Sequence, residues 1–270
     1  MKGKLFFGKL LALILLSMPF YLSAQVTESR KLSGFSAIEA SHAFDIVVSK
    51  SATESVVIEA DEKVMPYVRT EVKNGVLKLY LDKHNIDKIR ILKATIGIKE
   101  LNSVKLSGAC KLKSKDIFNA SAFEIQLSGA SSAGLNVKAN KLTVGISGAS
   151  ILTLDIDARD EAKFNVSGSS RLTAQLKTAK TDFGISGASR VDAKGNVDKA
   201  DFGVSGSSVV KAGNLVCKTV SALCTGGSRL DLNVTDSLEV SSSGSSSVSY
   251  KGRPTVKSTV SGASRVRSAD

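Results

Sequence analysis

A four-residue phrase recurs along the last two-thirds of this chain and limits what it can fold into. It reads Leu106-Ser107-Gly108-Ala109, Leu127-Ser128-Gly129-Ala130, Ile146-Ser147-Gly148-Ala149, Val166-Ser167-Gly168-Ser169, Ile185-Ser186-Gly187-Ala188 and Val204-Ser205-Gly206-Ser207. Cys224-Thr225-Gly226-Gly227, Ser242-Ser243-Gly244-Ser245 and Val260-Ser261-Gly262-Ala263 continue it. Successive glycines are 21, 19, 20, 19, 19, 20, 18 and 18 residues apart. A period this regular means like units stacked on one another, none of which can bury its apolar face alone.

Aligning the copies on glycine identifies the unit. Four residues before it stand Val104, Ile125, Val144, Phe164, Phe183, Phe202, Ala222, Val240 and Ser258. Two before it the residues are mainly aliphatic, with Cys224 and Ser242 the departures. Four after it stand Leu112, Ala133, Leu152, Leu172, Val191, Val210, Leu230, Val248 and Val266, and six after it Leu135, Leu154, Ala174, Ala193, Ala212 and Leu232. Period-two alternation on both sides of the glycine, with no helical period between copies, predicts strands with one buried face. The expected fold is all-β: a single-stranded right-handed parallel β-helix of about 19 residues per coil, its handedness following that of parallel crossovers. Coils stacked at ~4.8 Å would give a rod on the order of 40 Å from this part alone. The glycine and the serine two after it share the parity of the buried columns, which places them inside or at a corner. Glycine there admits a tight bend and close approach of the next coil, and the serine hydroxyl can bond along the column or to backbone.

The first 98 residues read differently. Lys2, Lys4 and Lys9 precede an apolar run from Leu10 to Leu16, extended by Met18–Leu22, and Leu22-Ser23-Ala24 ends in a small residue. Residues 1–24 are therefore expected to be a signal peptide cleaved before Gln25, the run being short for an anchor. No later stretch is long and apolar enough to span a membrane. Residues 25–34 resemble a loose leader. Phe44–Ser49 and Ser55–Ile58 read as strands, and Asp61 is placed to cap a short helical turn that Pro66 interrupts. Val68–Val72 and Val76–Leu81 flank Asn74-Gly75, a strong hairpin signal; Lys83–Lys88 reads as a charged loop and Ile89–Ile98 as a further strand. The chain thus divides into 1–24, a β-rich part 25–98, and β-helix repeats 99–270.

Charge and cysteines bound the function. The chain has 37 Lys and Arg against 25 Asp and Glu. Removing residues 1–24 takes away three lysines, leaving a net charge of +9. That favours anionic partners, and export disfavours nucleic acid among them. Cys110, Cys217 and Cys224 are odd in number; Cys224 fills an aliphatic position, and either a buried thiol or a Cys217–Cys224 bridge fits the spacing. His42 and His84 lie far from them, and no metal-ligand spacing is present.

The N-terminal segments Gly34-Phe35 through Phe44-Asp45-Ile46-Val47-Val48, Ala60-Asp61-Glu62…Met65-Pro66-Tyr67 and Val72-Lys73-Asn74-Gly75-Val76-Leu77-Lys78-Leu79 lead into the Ser-Gly-Ala-Ser repeats. Taken with those repeats, they resemble the head GIN domain family of putative auto-transporter adhesins across nearly all of the mature chain. The resemblance implies an exported β-helix of Bacteroidetes-type bacteria and carries no catalytic motif or cofactor.

Candidate sites follow from the columns. Asp182-Phe183-Gly184 and Asp201-Phe202-Gly203 mimic a kinase tripeptide, yet each sits in the repeat register with no phosphate loop. Three residues after the glycine stand Lys111, Arg171, Arg190, Arg229 and Arg265, an outward column suited to an acidic polysaccharide or lipopolysaccharide. Two positions further, Asp192, Lys211 and Asp231 suggest pairing between coils. The expected function is a non-enzymatic cell-envelope module, an adhesin or surface-interaction protein in the periplasm, at the outer membrane or on the cell surface. The alternatives are a purely structural envelope protein and a polysaccharide lyase or hydrolase. The last needs convergent carboxylates, whereas Glu124, Asp182, Asp201 and Glu239 are strung along one column. No cofactor is implied.

Overall fold

The computed structural model describes residues 25–270 apart from 84, 85 and 87, so the expected signal peptide, residues 1–24, and much of the Lys83–Lys88 loop lie outside the described residues. Within them the chain is an all-β parallel solenoid of about nine turns, roughly 19 residues per coil. The strands, in order, are β1 (Gln25–Arg30), β2 (Ala37–Ala40), β3 (Asp45–Lys50), β4 (Ser55–Asp61), β5 (Val68–Lys73), β6 (Val76–Leu81), β7 (Leu92–Ile98), β8 (Ser103–Leu106) and β9 (Lys111–Leu127). There follow β10 (Ser132–Ile146), β11 (Ile151–Val166), β12 (Arg171–Ile185), β13 (Arg190–Val204), β14 (Val209–Cys224), β15 (Arg229–Ser242), β16 (Ser247–Lys251), β17 (Thr255–Val260) and β18 (Arg265–Ser268).

From β9 to β15 one long bent strand makes one coil, and each pairs in parallel with the next. The last coils split, β15 pairing with both β16 and β17, and β16 with β18. Alternation breaks at the Ser-Gly turn and again where two consecutive residues face outward, as at Ala179-Lys180 and Asp198-Lys199. These breaks let the strand wrap around the core without burying polar side chains.

Stacking in register turns the sequence period into columns. Phe164, Phe183 and Phe202 are direct register partners. Their rings lie 4.7 and 5.0 Å apart at 13° and 5°, so the strand spacing forces near-parallel stacking. Leu112, Ala133, Leu152, Leu172, Val191, Val210, Leu230 and Val248 form a second buried column. Cys110, Cys217 and Cys224 are buried and free, which answers the open pairing: Cys217 stacks on Val197 and Cys224 on Val204, in different columns.

The turn separates the two residues that shared parity. Gly108 through Gly262 have φ near +70° and are exposed at the corner, whereas Ser131, Ser150, Ser170, Ser189, Ser208, Ser228, Ser246 and Ser264 point inward. The carbonyl of each turn glycine from Gly108 to Gly244 accepts an N–H from the next coil, for example Ala188 N to Gly168 O at 2.8 Å. Several inward hydroxyls reach the same carbonyls at longer range, Ser189 Oγ to Gly168 O at 3.4 Å among them. No side chain fits between successive glycines, because a Cβ on Gly187 would stand 2.5 Å from Gly168 O.

The N-terminal strands belong to the same sheet and the same core. β2 pairs in parallel with β8, and β3 with both β7 and β9. Ala40-Ser41-His42-Ala43 therefore makes the solenoid turn without glycine: His42 has φ 72°, and its carbonyl accepts the Ala109 N–H at 2.5 Å. Antiparallel strands close this end. β5 pairs with β6 through a hairpin whose Asn74 and Gly75 have φ 53° and 74°, as Asn-Gly requires. β4 pairs antiparallel with β7 and β1 with β4, so Gln25–Arg30 is an ordered covering strand and the loose-leader expectation is corrected. Asp61 is corrected too. The 3-10 turn Met65–Tyr67 contains Pro66 and has no side-chain cap; the buried Asp61 carboxylate instead accepts from the Arg90 and Ile91 N–H groups at 2.7 and 3.3 Å. The opposite end is exposed along all of β17, where Lys251, Arg253, Pro254, Lys257, Arg265 and Arg267 discourage strand addition.

Candidate functional site

The five cations singled out from the sequence lie in one outward column. Register runs Lys111, Ser132, Ile151, Arg171, Arg190, Val209, Arg229, Ser247, Arg265, coil upon coil. Arg171 and Arg190 are direct neighbours. Ser132 and Ile151 separate Lys111 from them, Val209 separates Arg229, and Ser247 separates Arg265. All five are exposed, and none has a salt-bridge partner within 4.0 Å among the described residues. Asp192, Lys211 and Asp231 also stack in register, but they do not form the expected ion pairs. Asp231 instead accepts the Ser249 hydroxyl at 2.5 Å.

A groove of about 980 Å³ opens beside this column, and the repeat alignment did not reveal it. Its origin is local. β9 carries extra residues, so the register jumps from Lys113–Gly134 to Ile117–Asn136 and Ser114–Asp116 bulge outward. Asp116 anchors the bulge by accepting the Lys50 N–H at 2.6 Å. Gly134 lies in this region with open space where a side chain would stand. Val47 and Ile151, exposed by 51% and 44%, give the groove an apolar patch. Ser132, Thr153, Thr173, Asn136 and Gln175 supply hydroxyls and amides, and Lys113, Lys115 and Lys194 outnumber the two carboxylates of the lining, Asp116 and Asp155. The only sign in the sequence is the longest glycine spacing, 21 residues between Gly108 and Gly129.

The acidic column lies on the sheet preceding the turn. Glu124, Thr143, Lys163, Asp182, Asp201, Ser221, Glu239 and Lys257 are register partners in that order. Asp182 and Asp201 flank the stacked phenylalanines, so the kinase-like tripeptides are core strand segments with an outward carboxylate. Among the described residues no three His, Cys, Asp or Glu side chains cluster in a metal-holding arrangement. Among the described residues no helix is long and apolar enough to cross a membrane.

Burial governs the thiols. Desolvation pushes Cys217 up to about 12, and Cys110 and Cys224 to about 11, partly offset by hydrogen bonds from Phe44 backbone and Ser228. They stay protonated at neutral pH and do not act as nucleophiles.

Residues 34–159 and 155–254 match the family described as "Putative auto-transporter adhesin, head GIN domain". No curated protein matches the chain. Among solved structures, one described as a putative adhesin from Parabacteroides merdae is 21% identical, with a TM-score of 0.70 over 91% of this chain and 96% of that one. A putative adhesin from Parabacteroides distasonis is 19% identical, TM-score 0.67, over 92% and 98%. A protein of the same organism described as a putative lipid binding protein is 20% identical, TM-score 0.69, over 91% and 97%. At these identities the likeness is one of fold.

Proposed function

The chain belongs to the head GIN domain family, and from that premise we propose that it is an exported, non-enzymatic interaction module of the cell envelope that holds an anionic surface polymer, acidic polysaccharide or lipopolysaccharide. The observation that carries this is the groove beside the arginine column. Lys113, Lys115 and Lys194 leave the groove with an excess of positive charge over Asp116 and Asp155, side-chain hydroxyls and amides offer hydrogen bonds, and Val47 and Ile151 offer apolar contact. Arg171 and Arg190 extend the cationic strip along the next coils, and their mutual repulsion is relieved when an anion lies across them. A lipopolysaccharide satisfies both the charged and the apolar parts, in keeping with one similar fold being described as lipid binding.

A lyase or hydrolase is less well supported. Asp182 and Asp201 neighbour one another but do not line the groove, and of the groove's own two carboxylates Asp116 is committed to the Lys50 N–H, whereas a glycosidic bond must be held between two available carboxyls. Retention of the purified protein on an immobilised acidic polysaccharide and on lipopolysaccharide micelles tests the proposal. Lys113→Ala with Lys115→Ala and Lys194→Ala is expected to lower retention several-fold, Arg171→Ala with Arg190→Ala to weaken it further, and added salt to weaken both. Equal retention of all variants across a salt series overturns it.

A further inference from the structure

The cationic and acidic columns correspond coil by coil. β9 carries Lys111 and Glu124, β12 carries Arg171 and Asp182, β13 carries Arg190 and Asp201, and β15 carries Arg229 and Glu239. The intervening coils have neither a cation in the first column nor an acid in the second: Ser132 with Thr143, Ile151 with Lys163, Val209 with Ser221, and Ser247 with Lys257. Within one molecule these partners form no salt bridge, since the columns stand on opposite sides of the turn. Glu124 and Glu239 pair with exposed lysines of their own face, Lys105 at 3.8 Å and Lys257 at 3.2 Å, and Glu124 also accepts from the Gln126 amide at 3.4 Å. Beside the acids, the next outward column toward the turn is Gln126, Gly145, Asn165, Gly184, Gly203, Leu223, Ser241 and Thr259, mostly small side chains, with Leu223 55% exposed.

We propose that copies of this chain associate side by side, axes parallel and coils level, with the Lys111–Arg229 column of one against the Glu124–Glu239 column of the next. Both columns step by the same strand spacing, ~4.8 Å, so alignment at one coil aligns all. Charge selects the level register. A shift of one coil in one direction sets Arg229 against Lys257; the opposite shift sets Arg171 against Lys163. The level arrangement opposes each cation from Lys111 to Arg229 with an acid and sets no like charges together; Arg265 lies beyond the last acid. Each copy presents one column of each sign, so the contact is heterologous, and it closes into a ring or grows as a ribbon according to the angle between the two faces. This goes beyond the polymer-binding proposal and does not rest on it, although a polyanion on the arginines would compete with a neighbouring copy.

Sedimentation velocity of the purified protein over a concentration series, at low salt and again at ~0.5 M salt where exposed pairs are screened, tests it. Assembly is expected at low salt and monomer at high salt. Arg171→Glu with Arg190→Glu, and separately Asp182→Lys with Asp201→Lys, should each remain monomeric while keeping the wild-type circular dichroism. Mixing the two variants should restore assembly, because the reversed glutamates of one then face the reversed lysines of the other. Monomer at every wild-type condition, assembly unaffected by reversal, or a mixture that stays monomeric each overturns the proposal. The Asp182→Lys, Asp201→Lys variant leaves the groove lysines and the arginine column in place, so its retention on acidic polysaccharide reports the preceding proposal separately.

Discussion

Replacing Gly187 by alanine tests the architecture at its tightest point. Gly187 has φ +76°, and a Cβ there would lie 2.5 Å from Gly168 O and 3.1 Å from Gly168 N, both backbone atoms of the coil below. The left-handed conformation costs an L-residue ~1–2 kcal/mol. Relieving the contact requires the coils to separate locally, which weakens the Ala188 N to Gly168 O bond of 2.8 Å, a net loss of ~1 kcal/mol. The sum is ~2–3 kcal/mol, which for a chain of this size lowers the melting temperature by ~4–12 °C. Gly203 is the matched control. It lies mid-strand without a positive φ, and a Cβ would meet nothing closer than Phe183 O at 3.8 Å. Gly203→Ala should therefore be neutral or stabilising by up to ~1 kcal/mol. Melting followed by far-ultraviolet circular dichroism separates the two. If both variants melt within a degree of the parent, the turn glycines are not dictated by stacked backbone.

Three further outcomes are expected. Phe183→Ala opens a cavity between two stacked rings and should cost ~3–5 kcal/mol, read as a lowered denaturation midpoint; a loss below 1 kcal/mol would mean that the ring pile is not core. In the native protein, Cys110, Cys217 and Cys224 should resist a thiol reagent at pH 8 and react fully once the chain is unfolded. Because their folded values stand near 11, 12 and 11 against an ordinary 9.0, the unfolded state loses protons first, so stability should decline as pH rises from 9 towards 12; a flat stability profile over that range would refute the assignment. Asp61→Ala deprives the Arg90 and Ile91 N–H groups of their buried acceptor and should destabilise the capped end by ~1–3 kcal/mol, seen as faster hydrogen exchange in β1 and β4 with the β12–β13 coils unaffected.

Much of the fold is legible because parallel in-register stacking converts a distance along the chain into a position in space. Residues about 19 apart must lie over one another, so the phenylalanine pile, the outward arginine column and the inward serines follow from parity and period alone. Asn74-Gly75 fixed its hairpin through local backbone preference. The capped end was not legible in the same way. The His42 turn has no glycine and lies 66 residues before Gly108, because the antiparallel β4 and β5 intervene and β6 and β7 stack on one side of β2 and β3 before β8 and β9 stack on the other. Gln25–Arg30 acquires its strand only by pairing with β4, and Asp61 finds its partners some 30 residues away; neither leaves a periodic trace. The groove likewise arises where one coil carries residues that its neighbour cannot pair. Sequence periodicity determines what repeats, since the same local forces act in every coil; the interruptions are settled by long-range pairing, which only the folded chain brings about.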